Sequence, residues 1–305
     1  MSRRIARLAA FALSAILAGP AAAEPIYVFG DSLSDGGNNF TLRNGASPRP
    51  PYAERSSNGP VWVELLAPLI GAETPVASRR GGTNYAYGGA TSGTTVVYRA
   101  NGSDGTDQLA QYLAAHPAAD PAALHVVWLG ANDLAAIFRA EGVDGPQATT
   151  AIQQTVGNVA TLVSALADRG ARRFLLVTVP DRGIVPRYAL DTPAIAANAT
   201  ARSVALNEAL VPAIRAIAEQ RGLELRVFDA FATYRAVVAD PARHGFTEAR
   251  QVCWQGNTTG EGTQCPDPAR FFYWDPAHPT TAGHRVLAEA AAQVMRAPPL
   301  VAARP

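Results

Sequence analysis

Two short runs near opposite ends of the chain hold the residues best suited to chemistry. Phe29-Gly30-Asp31-Ser32-Leu33-Ser34-Asp35-Gly36-Gly37-Asn38 follows the apolar run Ile26-Tyr27-Val28-Phe29. The apolar run reads as a strand, which Gly30 and the polar, glycine-rich residues behind it cannot extend. Ser32 is thereby presented at a strand tip, where a nucleophile is held rigidly and stays open to substrate. A serine hydroxyl is weak at neutral pH and needs a base to take its proton as it attacks a carbonyl carbon. Of the histidines His116, His125, His244, His278 and His284, His278 alone has a carboxylate three positions before it, in Asp275-Pro276-Ala277-His278-Pro279. The two prolines limit that turn, so that Asp275 can reach Nδ1 and leave Nε2 to face Ser32. Serine, aspartate and histidine are the parts of a hydrolytic triad. Acyl transfer also needs donors for the developing oxyanion. Gly89, in Asn84-Tyr85-Ala86-Tyr87-Gly88-Gly89-Ala90-Thr91, can offer an unobstructed N–H. Asn132, in Gly130-Ala131-Asn132-Asp133, can offer a side-chain N–H, and Ser32 its own backbone N–H. Taken alone, Gly89 would be a turn glycine and Asn132 a helix cap.

These four blocks, in this order over residues 26 to 284, resemble those of the GDSL or SGNH family of serine esterases and lipases. The resemblance implies a flavodoxin-like α/β fold, a three-layer α/β/α sandwich around a parallel sheet. It implies Ser32, Asp275 and His278 as catalytic residues and Ser32, Gly89 and Asn132 as the oxyanion hole; Gly89 is preferred to Gly88 by the family spacing. The implied activity is hydrolysis of carboxylic esters, of small molecules or lipids, through an acyl-serine and without cofactor or metal. A phospholipase, lysophospholipase or acyltransferase would use the same machinery, as would a carbohydrate deacetylase. A catalytically silent binding module is the alternative of another class, and the intact set of residues argues against it. Asp31 is read as a brace of the turn, Asp35 and Asn38 as residues that order the same loop, and Asp133 as a structural neighbour of Asn132. No G-x-S-x-G is present, which argues against the α/β-hydrolase elbow, and no H-E-x-x-H points to a zinc site.

The elements that must position these residues alternate in type. Ile26–Phe29, Val126–Leu129, Phe174–Val179 and Leu225–Phe228 read as buried parallel strands. Ile152, Val156, Val159, Val163 and Leu166 form one helical stripe, begun by Thr149 or Thr150 and ended by Gly170. A second helix carries Val204, Val211, Ile214 and Ala218, with Pro212 a candidate kink. A last helix runs from Thr281 to Met295, capped by Thr280. In open parallel sheets, sites collect beyond the carboxyl ends of the strands, where Ser32, Gly89 and Asn132 all fall. The segment from Asp240 to Trp274 has few periodic positions and must carry the histidine block to that edge; it reads as a long active-site loop. It holds both cysteines, Cys253 and Cys265, which in an exported chain read as one disulfide rather than two free thiols or a metal pair. Phe271, Phe272, Tyr273 and Trp274, with Trp254, either line an acyl pocket or pack this loop onto the core.

The first 23 residues read as an export signal. Arg3, Arg4 and Arg7 precede an apolar run, Leu8 to Leu17, too short to span a bilayer, and Ala21-Ala22-Ala23 offers a cleavage site. Residues 24–305 then form a single domain, free of any integral membrane segment and periplasmic or extracellular. Residues 1–23 hold three arginines and no acid, so the net charge of +1 becomes −2 without them. Nothing in that balance favours nucleic acid as a partner. All 26 basic residues are arginine. The missing lysine excludes a P-loop, a pyridoxal Schiff base and a Ser-x-x-Lys acylation site.

Overall fold

The computed structural model describes residues 23–93, 103–141 and 147–304. The predicted export signal lies outside these residues except for Ala23. Four strands, β1 (Ile26–Gly30), β2 (Leu124–Trp128), β3 (Arg173–Val177) and β4 (Glu224–Phe228), pair in sequence order, every pair parallel. Parallel neighbours need long crossovers. α1 (Asn38–Leu42), α2 (Trp62–Leu69) and α3 (Gly105–Ala115) lie between β1 and β2, and α4 (Ala131–Glu141) and α5 (Ala148–Asp168) between β2 and β3. α6 (Pro186–Ala189) and α7 (Pro193–Arg221) precede β4, and α8 (Ala230–Ala239) and α9 (Thr281–Arg296) follow it.

Alternate side chains of each strand enter different cores, as the two-residue period requires. Tyr27, Phe29, Val127, Phe174 and Leu176 meet α3, α5 and α7 on one face. Ile26, Val28, Val126, Trp128, Leu175 and Val177 meet α2, α8 and α9 on the other. β1 to β3 are covered on both faces and are largely apolar, whereas β4, expected as a buried run, is an edge strand that carries Glu224 and Arg226 and is only partly buried. The fold is the expected three-layer α/β/α sandwich. The block from Thr83 to Tyr87 lies along the free edge of β1, since Tyr85 N–H donates to the Val28 carbonyl and Tyr87 N–H to that of Gly30.

Several expected details change. Strand β2 begins two residues earlier than its apolar core, with Leu124 paired to Ile26, and β3 ends at Val177. Helix α5 begins after Gln147, and neither Thr149 nor Thr150 caps it. Helix α7 buries Ser203, Leu206 and Leu210 beside Ile214 and Ala218, while Val204 and Val211 are only partly covered. It runs unbroken through Pro212. Pro212 and Glu208 are both exposed, so water can satisfy the carbonyl that proline leaves unpaired. The Asp240–Trp274 segment is more regular than expected. β5 (Glu248–Val252) pairs with β8 (Phe271–Tyr273), and β6 (Trp254–Gly256) forms a hairpin with β7 (Gly262–Gln264). Cys253 and Cys265 close that hairpin as a disulfide.

Candidate active site

Strand β1 ends at Gly30, whose N–H and carbonyl are both held by the side-chain amide of Gln108, at 2.9 and 2.8 Å. The chain then turns sharply: Ser34 and Asp35 donate their N–H groups to the Asp31 carbonyl. Asp31 Oδ1 accepts from Leu33 N–H at 2.9 Å, so the side chain braces the turn as expected. Asp35 accepts from the N–H groups of Gly37, Asn38, Asn39 and Gly88. That last bond ties the serine loop to the glycine block, as does the Asn38 side chain, which donates to the carbonyls of Asn84 and Ala86.

Opposite this turn stands the histidine block. Ser32 Oγ lies 2.8 Å from His278 Nε2, and His278 Nδ1 lies 2.8 and 2.9 Å from the two oxygens of Asp275. Asp275 Oδ1 also accepts from the N–H groups of Ala277 and His278, which folds the four-residue turn around the carboxylate. Burial acts to raise the Asp275 pKa. The His278 charge and hydrogen bond, the Ala277 N–H and the Tyr52 hydroxyl outweigh it, and the carboxyl lies below its ordinary value. An ionised Asp275 holds the proton on Nδ1 and leaves Nε2 as the acceptor facing Ser32.

Tyr52 is a site residue that sequence reasoning missed. Its hydroxyl donates to Asp275 Oδ2 at 3.0 Å. Burial, then the neighbouring Asp275, raises its pKa, so it remains a donor. Ser57 and Asn58, from the same stretch, bind the Pro279 carbonyl and the Thr281 N–H. No periodic pattern marks this stretch, and its partners lie more than 220 residues away, beyond any local spacing.

The N–H groups of Ser32 and Gly89 have no hydrogen-bond partner among the described residues, whereas that of Gly88 is taken by Asp35. Gly89 has φ of +82°, a conformation that a side chain would strain. Asn132, in the first turn of α4, directs Nδ2 to the Ala90 carbonyl at 3.0 Å and to Asp31 Oδ2 at 3.4 Å. Asp133 is bound by Ser92 and Thr155, away from the histidine. Ser32, Gly89, Asn132, Asp275 and His278 thus line one cleft of about 400 Å³.

The GDSL-like lipase/acylhydrolase family model matches residues 26–291. The chain belongs to that family. Among curated relatives, Lipase 1 of Photorhabdus luminescens is 28% identical over 90% of this chain and 50% of its own length. Thermolabile hemolysin of Vibrio parahaemolyticus is 26% identical over 87% of this chain and 62% of its own. This chain therefore spans about half to two thirds of the length of these two. Phosphatidylcholine-sterol acyltransferase of Aeromonas hydrophila is 26% identical over 88% of both chains.

Within this GDSL-like chain, the aromatic run before Asp275 packs the core and does not line the cleft. Phe272, Tyr273 and Trp274 are fully buried. Trp254 stacks on Trp274 at 6.1 Å, and Tyr52 meets the same ring edge-on at 5.8 Å. Together with Cys253 these rings form a small third core beneath Asp275. The other histidines are absent from the cleft. His125 and His284 are buried, and burial lowers them to about 4 and about 3. His116 ends α3 against Tyr27 and Tyr112.

Proposed function

We propose that this chain is an exported serine hydrolase that cleaves carboxylic esters through an acyl-serine intermediate. The observation that carries this reading is the unbroken line from Asp275 through His278 to Ser32, with 2.8 Å at each link. Ser32 Oγ attacks the ester carbonyl carbon while its proton passes to His278 Nε2. The imidazolium is stabilised by the ionised Asp275, itself held by Tyr52. The tetrahedral oxyanion is met by the N–H groups of Ser32 and Gly89, neither of which has another partner among the described residues. The contact from Asn132 to Asp31, at 3.4 Å, is long for a hydrogen bond, so that proton is the one free to turn to the oxyanion. His278 then returns its proton to the leaving alcohol, and water resolves the acyl-serine by the same steps in reverse. Residues 1–23 serve as the export signal, and a Cys253–Cys265 disulfide suits an oxidising compartment.

The test is covalent labelling. A fluorophosphonate probe should modify the wild-type protein at Ser32. The Ser32→Ala variant should lose labelling and ester hydrolysis while keeping its far-UV circular dichroism. Labelling that persists in the variant would overturn the assignment.

A further inference from the structure

One buried charge that lines the cleft has no direct ion-pair partner among the described residues. The carboxylates of the cleft are all engaged. Asp35 is bound by four N–H groups, Asp275 by His278 and Tyr52, Asp31 by Leu33 and Asn132, and Glu54 by Arg80. Among the guanidinium groups, Arg55 is matched by both oxygens of Glu64. Arg182 is not. It stands where the chain leaves β3, on the sheet edge that also bears Ser32 and Asn132, and it lines the same cleft. It is only 6% exposed, yet it forms no ion pair among the described residues. The adjacent Asp181 is taken by Arg235 at 2.7 Å. Arg182 Nη2 donates to the Tyr188 hydroxyl at 3.1 Å, its guanidinium carbon lies 5.0 Å from the centre of the Tyr188 ring, and its Nε is buried without a hydrogen-bond partner among the described residues. Arg43 and Arg187 stand exposed at the rim of the cleft, each without a carboxylate partner among the described residues. The Arg182 charge acts on the buried Asp31 carboxyl without a hydrogen bond between them. A buried guanidinium with no direct ion-pair partner is costly, and a ligand of opposite sign lowers that cost. Arginine is the residue whose planar fork matches carboxylate and phosphate oxygens in pairs.

We infer that the ester cleaved here carries an anionic group, a phosphate or a carboxylate, bound by Arg182 with Arg43 and Arg187 at the rim while its acyl carbonyl lies at Ser32. This rests on the proposed ester hydrolysis and names its substrate class. The lining agrees: among the described residues, Leu33, Pro48, Ala131, Pro180 and Ala277 are its only wholly apolar side chains.

The experiment compares matched esters, with released acid titrated against the full chain. One pair is monobutyrin and butyryl-glycerol phosphate; the other is methyl butyrate and monomethyl succinate. In one pair at least, kcat/KM should be about tenfold or more higher for the anionic member, the scale of one charge-assisted hydrogen bond. The pair that shows it distinguishes phosphate from carboxylate. Arg182→Gln should lower that ratio by about tenfold, whatever it does to the neutral ester. Arg187→Gln, at an exposed position that does not threaten folding, should lower it by roughly threefold, and raising the salt from about 0.05 to about 0.5 M should lower it in the wild type. A wild-type ratio near one in both pairs would overturn the inference. So would a ratio unchanged in both variants, which would leave Arg182 as no more than a counter-charge for Asp31. Should neither member of either pair be cleaved, the ester reading itself fails, and this inference with it.

Discussion

Asp31 sets the demands of the fold against those of the site. Burial pushes its pKa up to about 6, against the Leu33 N–H and the charges of His278 and Arg182, which pull it down. A carboxyl raised in the folded state binds its proton more tightly there than in the unfolded chain. Folding therefore loses stability as pH rises from about 4 to about 6, and the full cost is present at neutral pH. Asp31→Asn should stabilise the protein at pH 7 by up to roughly 3 kcal/mol, since each tenfold change in proton affinity is worth about 1.4 kcal/mol. The advantage should vanish below about pH 4. Denaturant unfolding of both proteins across this range measures the difference, and a constant gain at every pH would contradict the argument. The variant should also turn over esters more slowly, because the Asn132 amide loses the negative charge that it faces at 3.4 Å. Asp31 was legible as a turn brace, since an aspartate reaching the N–H two residues on is a local event. Its second contact, to Asn132, joins residues 101 positions apart and left no trace in spacing.

At the scale of elements, the sequence was readable where burial imposes one pattern. β1 to β3 are covered on both faces, so each appears as a largely apolar run, and α5 shows its stripe because only one side meets the sheet. Helix α9 was marked by Thr280, whose side chain accepts the Gly283 N–H as a cap. The β5–β8 and β6–β7 pairs were hidden because strands of three to five residues are too short to display a period, and β7 is exposed throughout. Yet this small region supports the site. Cys253 N–H donates to the Tyr273 carbonyl and Trp254 N–H to that of Trp274, so the disulfide hairpin is fastened to the strand that leads into Asp275. The disulfide spans 12 positions, for which loop closure contributes about 3 kcal/mol in the chain-entropy model. Replacing both cysteines with serine should cost about that much in denaturant unfolding. It should also lower kcat more than it changes KM, because Trp274 and the turn behind it lose their support. Unchanged stability in the double variant would show that the hairpin holds without its bridge.

Over the whole molecule, the sheet separates two cores, and each encloses a histidine that stays neutral. His125 packs among Tyr27, Tyr112 and Phe174 on one face, and His284 lies within α9 on the other. The unfolded chain takes up a proton at each as pH falls below about 6.5, while the folded protein resists until about 4 and about 3. Stability must therefore decline with acidification through that window, by at most about 1.4 kcal/mol per pH unit for each group, and Asp31 acts in the opposite sense. Neither ring nitrogen of His284 has a hydrogen-bond partner among the described residues, so His284→Leu sacrifices none of those bonds. Relative to wild type, this variant should gain stability steadily as pH falls from about 6.5 to about 4. Parallel unfolding curves for the two proteins would refute it. The order of the parts along the chain has a consequence in time. Ser32 and His278 are 246 positions apart, and a ribosome adds about 5–20 residues per second. The serine therefore precedes its proposed base by roughly 12 to 50 seconds of synthesis. Throughout that interval the nascent polypeptide carries an ordinary alcohol at the position where β1 will end, and in the proposed triad that alcohol gains a base only once the turn bearing His278 has been made.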